Sequence, residues 1–272
     1  MGDMQAKRVA VIGAGNMGGA LVAGMVKSGL LPPDRITAID ISEAVLEEHR
    51  QKLGVNTSGE AGEVVGDQDV VVLGLKPQVW QHVVAGFSGS LTSAQLVLSI
   101  MGGVRTSAIE QTLGKGVAVV RAMPNILAQI REAISAVCPG QYAGEAHLLA
   151  AREILGAVGE TVVVDEAQMD AVTGLSGSGP AYVYAMIDAL AEGGVKVGLS
   201  KEVALKLAAQ TVLGAAKALL ESGEHPAVLK DRVTSAGGTT IAGLYAMEQS
   251  GFRAALMAAV EAATRRSEAL GA

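Results

Sequence analysis

The feature that most constrains the fold is a glycine motif placed between a strand and a helix near the start of the chain. Residues 8–13 hold a short apolar, β-branched strand pattern, and residues 17–28 show helical spacing. Between them Gly13, Gly15 and Gly18 fit the spacing G-x-G-x-x-G. We interpret Gly13 as allowing a tight turn, Gly15 as letting a pyrophosphate approach the backbone, and Gly18 as allowing close helix–strand packing. A glycine-rich turn without a ligand is the alternative, which the strand and helix context disfavours.

Strand and helix patterns alternate after this motif, and then the strand patterns stop. The alternation predicts a Rossmann-type, doubly wound parallel sheet in an α/β domain of residues 1–164. Beyond Asp165 apolar positions recur at helical spacing, which predicts an all-α domain of residues 165–272. The predicted strands are 8–13, 36–41, 69–75, 96–100, 117–121 and 161–164, and the predicted helices of the first domain are 17–28, 43–52, 79–87 and 107–113.

Composition excludes several classes of function. A single cysteine, Cys138, cannot form an internal disulfide, and the histidines at 49, 82, 147 and 225 lack the spacing of a metal site, so we predict no metal. The net charge of −6 leaves no basic stripe for a nucleic acid partner. No uncharged apolar run approaches the roughly 18 residues of a membrane span, and the N-terminus does not resemble a signal peptide. We therefore expect a cytoplasmic protein that acts on a small molecule.

An acidic residue follows the second predicted strand. Asp40 lies about 20 residues beyond Gly18, where a carboxylate accepts hydrogen bonds from an adenosine ribose and repels a 2′-phosphate. The alternative, a helix N-cap, is a role that Ser42 already offers to the helix at 43–52. Asp40 therefore favours a nucleotide cofactor whose adenosine ribose carries no 2′-phosphate, which indicates that NADH is accepted.

Further candidate residues end the next strands, where open α/β folds bind ligands. Lys76, between Leu75 and Pro77, places a cation at this edge, although a surface lysine that caps a strand fits the pattern equally well. The small residues of 99–103 leave room for a nicotinamide ribose, and residues 121–125 end another strand. We predict that these loops converge on one crevice.

Two glycine-rich stretches stand out in the helical half. Residues 174–180 interrupt a helical pattern with three glycines, which predicts a functional turn before a helix that begins at Pro180. Residues 234–240 precede another helix with two glycines and several hydroxyls, an arrangement that suits a carboxylate ligand because helix N-termini attract anions. Simple N-capping by Thr239 is the alternative. The apolar faces of this half exceed what it buries alone, so we predict a homodimer at least.

The residues that follow Pro226 resemble a known family. The chain is similar to the signature of pyrroline-5-carboxylate reductases at Pro226, Leu229, Val233, Thr234, Ser235, Gly237, Gly238, Thr240, Gly243, Leu244, Met247 and Glu248. The resemblance continues through residues 12–17, 76–77, 120–125 and 175–182, so it covers both predicted domains.

The resemblance implies NAD(P)H-dependent reduction of the C=N bond of 1-pyrroline-5-carboxylate to L-proline, the last step of proline biosynthesis. NADPH is the cofactor that the family commonly prefers. The resemblance further implies a dimer in which one subunit's glycine-hydroxyl loop faces the partner's nicotinamide, with five dimers commonly forming a ring. Thr240 is then the partner of the imine nitrogen and the catalytic residue. The implied cofactor contacts, with the candidates named above, are Ile12, Gly13, Ala14, Gly15, Asn16, Met17, Asp40, Leu75, Lys76, Pro77 and Gly102, and the substrate contacts are Glu224, Ser235, Gly238, Thr239 and Thr240.

The chain departs from that family at a few positions. Asp40 stands where the family often has a small hydroxyl residue or a phosphate-binding group, which puts the cofactor preference in question. Ala61 lies near a position that is frequently Asn, and Ile126 and Leu127 follow Asn125 where Thr-Pro is frequent. These differences are expected to alter contacts with the cofactor or the substrate loop without removing the chemistry.

Three alternatives remain at this point. Gly174, Gly177 and Gly179 reproduce the glycine spacing of β-hydroxyacid dehydrogenases, but Val183 and Ile187 occupy the places of that family's catalytic lysine and partner asparagine. Reduction of another small cyclic imine is the second alternative. Such a substrate can differ from 1-pyrroline-5-carboxylate by one methylene, which is worth about 1–3 kcal/mol of selectivity. A nucleotide-sensing protein without turnover is the third alternative, which the intact segment 235–240 disfavours.

Overall fold

A computed structural model describes residues 4–114 and 116–271. The described chain begins with an α/β region and ends with helices. The strands are β1 (Val9–Ile12), β2 (Ile36–Ile39), β3 (Asn56–Ser58), β4 (Val70–Leu73), β5 (Leu96–Ser99), β6 (Ala118–Met123), β7 (Ala133–Pro139) and β8 (Gly159–Val163). The helices are α1 (Asn16–Lys27), α2 (Glu43–Leu53), α3 (Trp80–Phe87), α4 (Thr106–Leu113), α5 (Glu145–Gly156), α6 (Met169–Val172), α7 (Gly179–Lys196), α8 (Lys201–Ser222), α9 (Pro226–Arg232), α10 (Thr239–Gln249) and α11 (Phe252–Gly271).

The strands form one mostly parallel sheet in the order β3-β2-β1-β4-β5-β6-β7-β8. The prediction of a wholly parallel sheet is wrong at one pair, because β6 and β7 run antiparallel. Residues 124–132 connect these two strands, and so short a segment cannot make the crossover of a dozen or more residues that parallel neighbours need. The other neighbouring strands are parallel, so the predicted α/β domain with a Rossmann-type sheet is confirmed.

The core lies on both faces of the sheet. Alternate residues of β1 point to opposite sides: Val9 and Val11 belong to one apolar cluster, and Ala10 and Ile12 belong to the other. Residues of α1 and α5 complete the first cluster, and residues of α3 and α4 complete the second. Burial on both faces explains why these strands read as continuous apolar runs.

Sequence patterns located most elements of the first region and missed three. The strands β3 and β7 and the helix α5 were not predicted. β3 is a three-residue polar strand, Asn56–Ser58, whose sequence has no apolar alternation. The predicted second strand ends at Ile39 and not at residue 41, because Asp40 and Ile41 already leave the sheet.

The described residues form two compact units by their internal contacts. One unit holds the residues up to Gly177 together with those from Ala263 onward, and the other holds Ser178–Ala262. In the first unit the Ser267 hydroxyl donates to an Asp170 carboxylate oxygen at 2.6 Å, which ties the C-terminal segment to that unit. The prediction of a sequence boundary between residues 164 and 165 stays a prediction.

The segment that was predicted as a functional turn is helical. Residues Thr173–Gly177 form a π-helix that follows α6, and α7 begins at Gly179 with Pro180 in its first turn. Hydroxyl groups support the wider turn, since Thr173 donates to the Met169 carbonyl and Ser176 to the Val172 carbonyl. Glycine was expected to interrupt the helix, but here it permits an unusual helical turn, a kind that often marks functional sites.

One described helix, α8, is long and apolar enough to cross a membrane by length and composition alone, whereas its sequence predicted no membrane span. Its most apolar 18-residue window has a mean hydropathy of 1.4, yet Lys206 and Lys217 lie inside the helix. Ala204 and Ala208 of α8 pack against Ala191 of α7, where Gly194 lets the two helices approach closely. Most of the remaining α8 side chains are exposed within a single chain.

Candidate functional site

The glycine motif forms the turn between β1 and α1 in the way that its spacing predicts. Gly13 has a φ of +86°, and a side chain there would lie 2.5 Å from the Gly74 carbonyl oxygen. A Cβ atom on Gly18 would overlap the Gly13 carbonyl oxygen, so only glycine lets α1 approach the turn. Gly15 is the exception, because no atom lies within 4 Å of the position that its Cβ would take. The open side of Gly15 is the face on which a ligand can reach the backbone.

The N-terminus of α1 offers unpaired backbone donors at this turn. Gly15 is the N-cap residue, and no side chain caps the helix. The Gly15 N–H has no acceptor among the residues that the structure describes. Asn16 and Met17 open the helix, and their N–H groups precede its first internal hydrogen bonds. Unpaired amides and the positive end of the helix dipole together favour a phosphate group.

Loops after β4 and β5 end at the same edge of the sheet as the glycine turn. Gly13 N–H donates to the Ile39 carbonyl at 2.8 Å and Gly74 N–H donates to the Ile12 carbonyl at 2.8 Å, so the turn is fixed between β2 and β4. Lys76, Pro77 and Gly102 are exposed beyond these strands, whereas Leu75 is half-buried. The parallel strands therefore place these predicted cofactor residues at one edge, although within the described residues no hydrogen bond or ion pair joins Lys76 or Gly102 to the glycine turn.

Asp40 follows β2 at this edge and is half-buried. One carboxylate oxygen accepts the Ser42 N–H at 3.0 Å, which leaves the other oxygen without a hydrogen bond inside the described chain. Ser42 occupies the N-cap position of α2 as predicted, although its hydroxyl makes no capping bond, and the ribose role of Asp40 stays a prediction. Asp40 itself stabilises the turn before α2.

Residues 121–125 were expected to join the crevice, and the structure gives most of them structural roles. The Arg121 guanidinium is buried and pairs with Glu166 at 3.3 Å, while the Glu166 carboxylate accepts the Thr106 N–H and hydroxyl at 2.8 Å each. The Asn125 side chain is buried, accepts the Leu127 N–H and donates to the Ser176 carbonyl at 3.2 Å. Asn125 thus connects the end of β6 to the π-helix.

The second unit carries the predicted substrate loop between α9 and α10. Gly238 N–H donates to the Ser235 carbonyl at 3.1 Å, and a Cβ atom on Gly238 would overlap the Ser235 hydroxyl. Gly237 adopts a φ of +66°, which also favours glycine. The two glycines therefore have separate reasons, one a tight contact and the other a left-handed conformation.

The helix α10 begins directly after this loop. Its N-cap residue is Gly238, not Thr239, and no side chain caps the helix, so the N-capping alternative for Thr239 is wrong. Thr240 is the second residue of α10 and is half-buried, and its hydroxyl makes no hydrogen bond inside the described chain. The first amides of α10 and two nearby hydroxyls are thus left open for an anionic ligand.

Sequence reasoning missed a cation beside Glu224. Arg232 ends α9 and binds both carboxylate oxygens of Glu224 through its two terminal nitrogens, one of them at 2.6 Å. The pair bridges the whole of α9, since Glu224 precedes the helix and His225 caps it through Nδ1. The sequence did contain an indication of this pair: Glu224 lies two residues before α9, and Arg232 is the last residue of that helix.

Cys138 is buried in the first unit near the charged side chains of Glu166 and Arg121. Burial, and after it the Glu166 carboxylate, raise its pKa to about 12, whereas Arg121 acts in the opposite direction. Among residues 4–114 and 116–271 no group of three His, Cys, Asp or Glu side chains is arranged to hold a metal ion.

Comparison with known proteins matches both halves of the chain. The family described as pyrroline-5-carboxylate reductase dimerisation matches residues 166–270, and the family described as NADP oxidoreductase coenzyme F420-dependent matches residues 8–103. A pyrroline-5-carboxylate reductase of Methanosarcina acetivorans is 47% identical over 268 residues, which are 98% of this chain and 99% of that protein.

Two solved structures extend the similarity to three dimensions. A pyrroline-5-carboxylate reductase from Coxiella burnetii is 35% identical with a TM-score of 0.93, over 98% of this chain and 99% of that one. The Plasmodium falciparum pyrroline carboxylate reductase with NADP bound is 30% identical with a TM-score of 0.88, over 99% of this chain and 100% of that one.

Proposed function

Because the chain belongs to the pyrroline-5-carboxylate reductase family, we propose that it reduces the C=N bond of 1-pyrroline-5-carboxylate with NAD(P)H to give L-proline. The observation that carries this proposal within the structure is the uncapped start of α10, where two glycines and the free Thr240 hydroxyl leave a carboxylate site beside a hydrogen-bonding group. Family similarity over nearly the whole chain disfavours the β-hydroxyacid dehydrogenase alternative. This chain also lacks the catalytic lysine of that family.

The turn between β1 and α1 fits a dinucleotide cofactor. Gly15 presents an open backbone face and an unpaired N–H, as a pyrophosphate requires. Bound NAD(P)H supplies the hydride. The protein's part is to hold the cofactor through residues 12–17 and to flank it with Lys76 and Gly102. The Asp40 carboxylate favours a ribose without a 2′-phosphate, so we propose that NADH is accepted alongside the NADPH that the family commonly uses.

The substrate loop separates two tasks. Amides around Gly238 and Thr239 bind the substrate carboxylate at the positive end of α10. The Thr240 hydroxyl accepts a hydrogen bond from the protonated imine nitrogen, which orients the C=N carbon toward the cofactor without adding a competing charge. Ser235 borders the same turn, and its carbonyl holds Gly238 in place. The carboxylate of Glu224 lies before α9 and completes the substrate contacts.

The exposed apolar side chains of the second unit fit subunit packing. The dimerisation family matches residues 166–270, which include all of α8. We propose a homodimer in which one subunit's loop at residues 234–240 serves the partner's cofactor, and a ring of five dimers as the larger assembly. In this interpretation the apolar surface of α8 meets protein and not lipid, and the enzyme works in the cytoplasm.

A spectrophotometric assay of NAD(P)H oxidation tests the proposal. Purified protein is mixed with 1-pyrroline-5-carboxylate and either NADH or NADPH, and proline is identified as the product. A six-membered cyclic imino acid in parallel distinguishes ring size. Turnover of the five-membered substrate supports the proposal, whereas cofactor binding without turnover of any cyclic imine would favour the nucleotide-sensing alternative.

A further inference from the structure

A histidine from the second helix binds the backbone of the glycine turn. His49 lies on α2, is half-buried, and its Nε2 is 2.8 Å from the Ala14 carbonyl oxygen. Ala14 is the residue between Gly13 and Gly15, and its side chain is buried. A carbonyl oxygen only accepts, so Nε2 carries the proton in this contact. His49 therefore donates into the middle of the G-x-G-x-x-G motif.

Gly19 makes room for this contact. A Cβ atom on Gly19 would lie 2.8 Å from the Ala14 carbonyl oxygen and 3.1 Å from both Cε1 and Nε2 of His49. Gly19 is not one of the three motif glycines, and its neighbours explain why it lacks a side chain. The carbonyl oxygen, the imidazole and the bare α-carbon form one packed arrangement on the side of α1 that faces α2.

The peptide unit that His49 holds is the one whose other end faces the open side of the turn. The Ala14 carbonyl and the Gly15 N–H belong to the same planar peptide group, so a donor that fixes the oxygen also fixes the direction of the N–H. That N–H has no acceptor within the described chain, and the Cβ position of Gly15 is open. A hydrogen bond to the carbonyl also polarises the peptide and strengthens its N–H as a donor.

We propose that His49 is a positioning residue for the cofactor, which holds the Ala14–Gly15 peptide so that the Gly15 N–H meets the pyrophosphate of NAD(P)H. This inference rests on the proposed function only for the identity of the cofactor. His49 and the glycine turn belong to one compact unit and the substrate loop belongs to the other, so we expect its substitution to act on cofactor binding.

The test compares His49→Phe, which keeps a ring and removes the donor, with His49→Gln, which keeps an N–H donor. NADH and NADPH are titrated by fluorescence into each full-length variant, and KM for 1-pyrroline-5-carboxylate is measured at saturating cofactor. We expect His49→Phe to raise Kd for both cofactors about three- to tenfold, the worth of one hydrogen bond, with KM for the imine unchanged and His49→Gln recovering part of the loss.

A matched control is His147→Phe. His147 also makes one backbone hydrogen bond, because its Nδ1 accepts the Gly144 N–H at the start of α5, but it lies away from the glycine turn. This variant should change the melting temperature only. If His49→Phe binds NADH like the parent at an equal melting temperature, or if its loss follows the folded fraction alone, the positioning role is wrong while the reductase proposal stands. Failure of the parent protein to bind either cofactor would overturn both.

Discussion

At the scale of single residues, Thr240 carries the sharpest chemical assignment. It is the second residue of an uncapped helix, and its hydroxyl is unbonded inside the described chain. Thr240→Val keeps the β-branched shape and removes the hydroxyl, so it should lower kcat/KM for 1-pyrroline-5-carboxylate about ten- to a hundredfold, equivalent to roughly 1.5–3 kcal/mol. Cofactor Kd should stay near that of the parent, and Thr240→Ser should keep much of the activity.

A melting-temperature measurement separates a helix-capping role of Thr240 from its catalytic role. Gly238 is the N-cap, so loss of the Thr240 hydroxyl should leave the melting temperature nearly unchanged. Activity of Thr240→Val equal to that of the parent, or a loss in proportion to unfolded protein, would make the hydroxyl structural and refute its catalytic assignment.

Asp40 is predicted to set the cofactor preference. Both Asp40→Asn, which keeps the shape, and Asp40→Ser remove a negative charge while retaining an acceptor for the Ser42 N–H. Relief of repulsion between two close charges is worth about 1 kcal/mol or more, so the ratio of kcat/KM for NADPH to that for NADH should rise about fivefold or more. An unchanged ratio in both variants would mean that Asp40 only stabilises the turn before α2.

Cys138 should be unreactive in the folded protein. Its pKa of about 12, raised first by burial, leaves about one thiolate in ten thousand at pH 8, and the thiolate is the reactive form. A maleimide should therefore label the native protein at pH 8 only as fast as the chain unfolds, and label it quickly in denaturant. Cys138→Ala serves as the blank, and rapid native labelling would contradict the buried environment.

At the scale of elements, the unit of β1, turn and α1 can be tested with a pair of glycine variants. Gly18→Ala places a Cβ atom against the Gly13 carbonyl oxygen, so the helix must shift, at a cost of about 1–3 kcal/mol and a lower melting temperature. Gly15→Ala meets no atom within 4 Å, so it should cost less than about 1 kcal/mol and instead weaken NADH binding. The two variants should thus separate stability from affinity, and equal melting temperatures would contradict the packing assigned to Gly18.

The elements also show where sequence reasoning succeeds. The β1–α1 turn was predictable because each motif glycine answers a local requirement: the structure shows a close contact at Gly13 and at Gly18 and an open backbone face at Gly15. The start of α10 was predictable for the same cause, since Gly237 and Gly238 precede it. A local requirement of the backbone can be predicted because it selects the residue type at that position.

Other features depend on residues that are distant in sequence. The His49 contact crosses 35 positions and the Asn125 contact with Ser176 crosses 51, so no local pattern reveals either. The π-helix is held by its own hydroxyls and by the Asn125 side chain, which donates to the Ser176 carbonyl. From spacing alone, its glycines indicated a turn. The antiparallel direction of β7 depends on the short connection that follows β6, which no strand pattern indicates.

At the scale of the whole molecule, the chain combines a cofactor unit that is internally complete with a helical unit that is not. The first unit buries both faces of its sheet. In the second unit α8 buries few side chains, and Leu213 and Leu220 are 60% and 83% exposed. Since a buried leucine contributes about 1.5–3 kcal/mol, several such residues can stabilise a subunit interface. Residues 166–270, which include α8, match the dimerisation family.

The last prediction is that dimerisation and turnover are lost together while cofactor binding remains. Light scattering should give twice the chain mass of 27.5 kDa, or a higher multiple, for the parent protein. Leu213→Asp places a charge where we expect the partner's apolar surface, so it should yield a monomer, whereas Gln210→Asp on the same helix should remain assembled.

The monomer retains the β1–α1 turn and should bind NADH with nearly the parent's Kd, because that turn lies in the first unit. It should not reduce 1-pyrroline-5-carboxylate, because the proposed site joins one subunit's cofactor to the loop of its partner. Raising the protein concentration until the variant re-associates should then restore turnover in step with the dimer fraction. A monomer that turns over the imine at the parent's rate would show that each chain completes its own site, and the shared-site proposal would have to be abandoned.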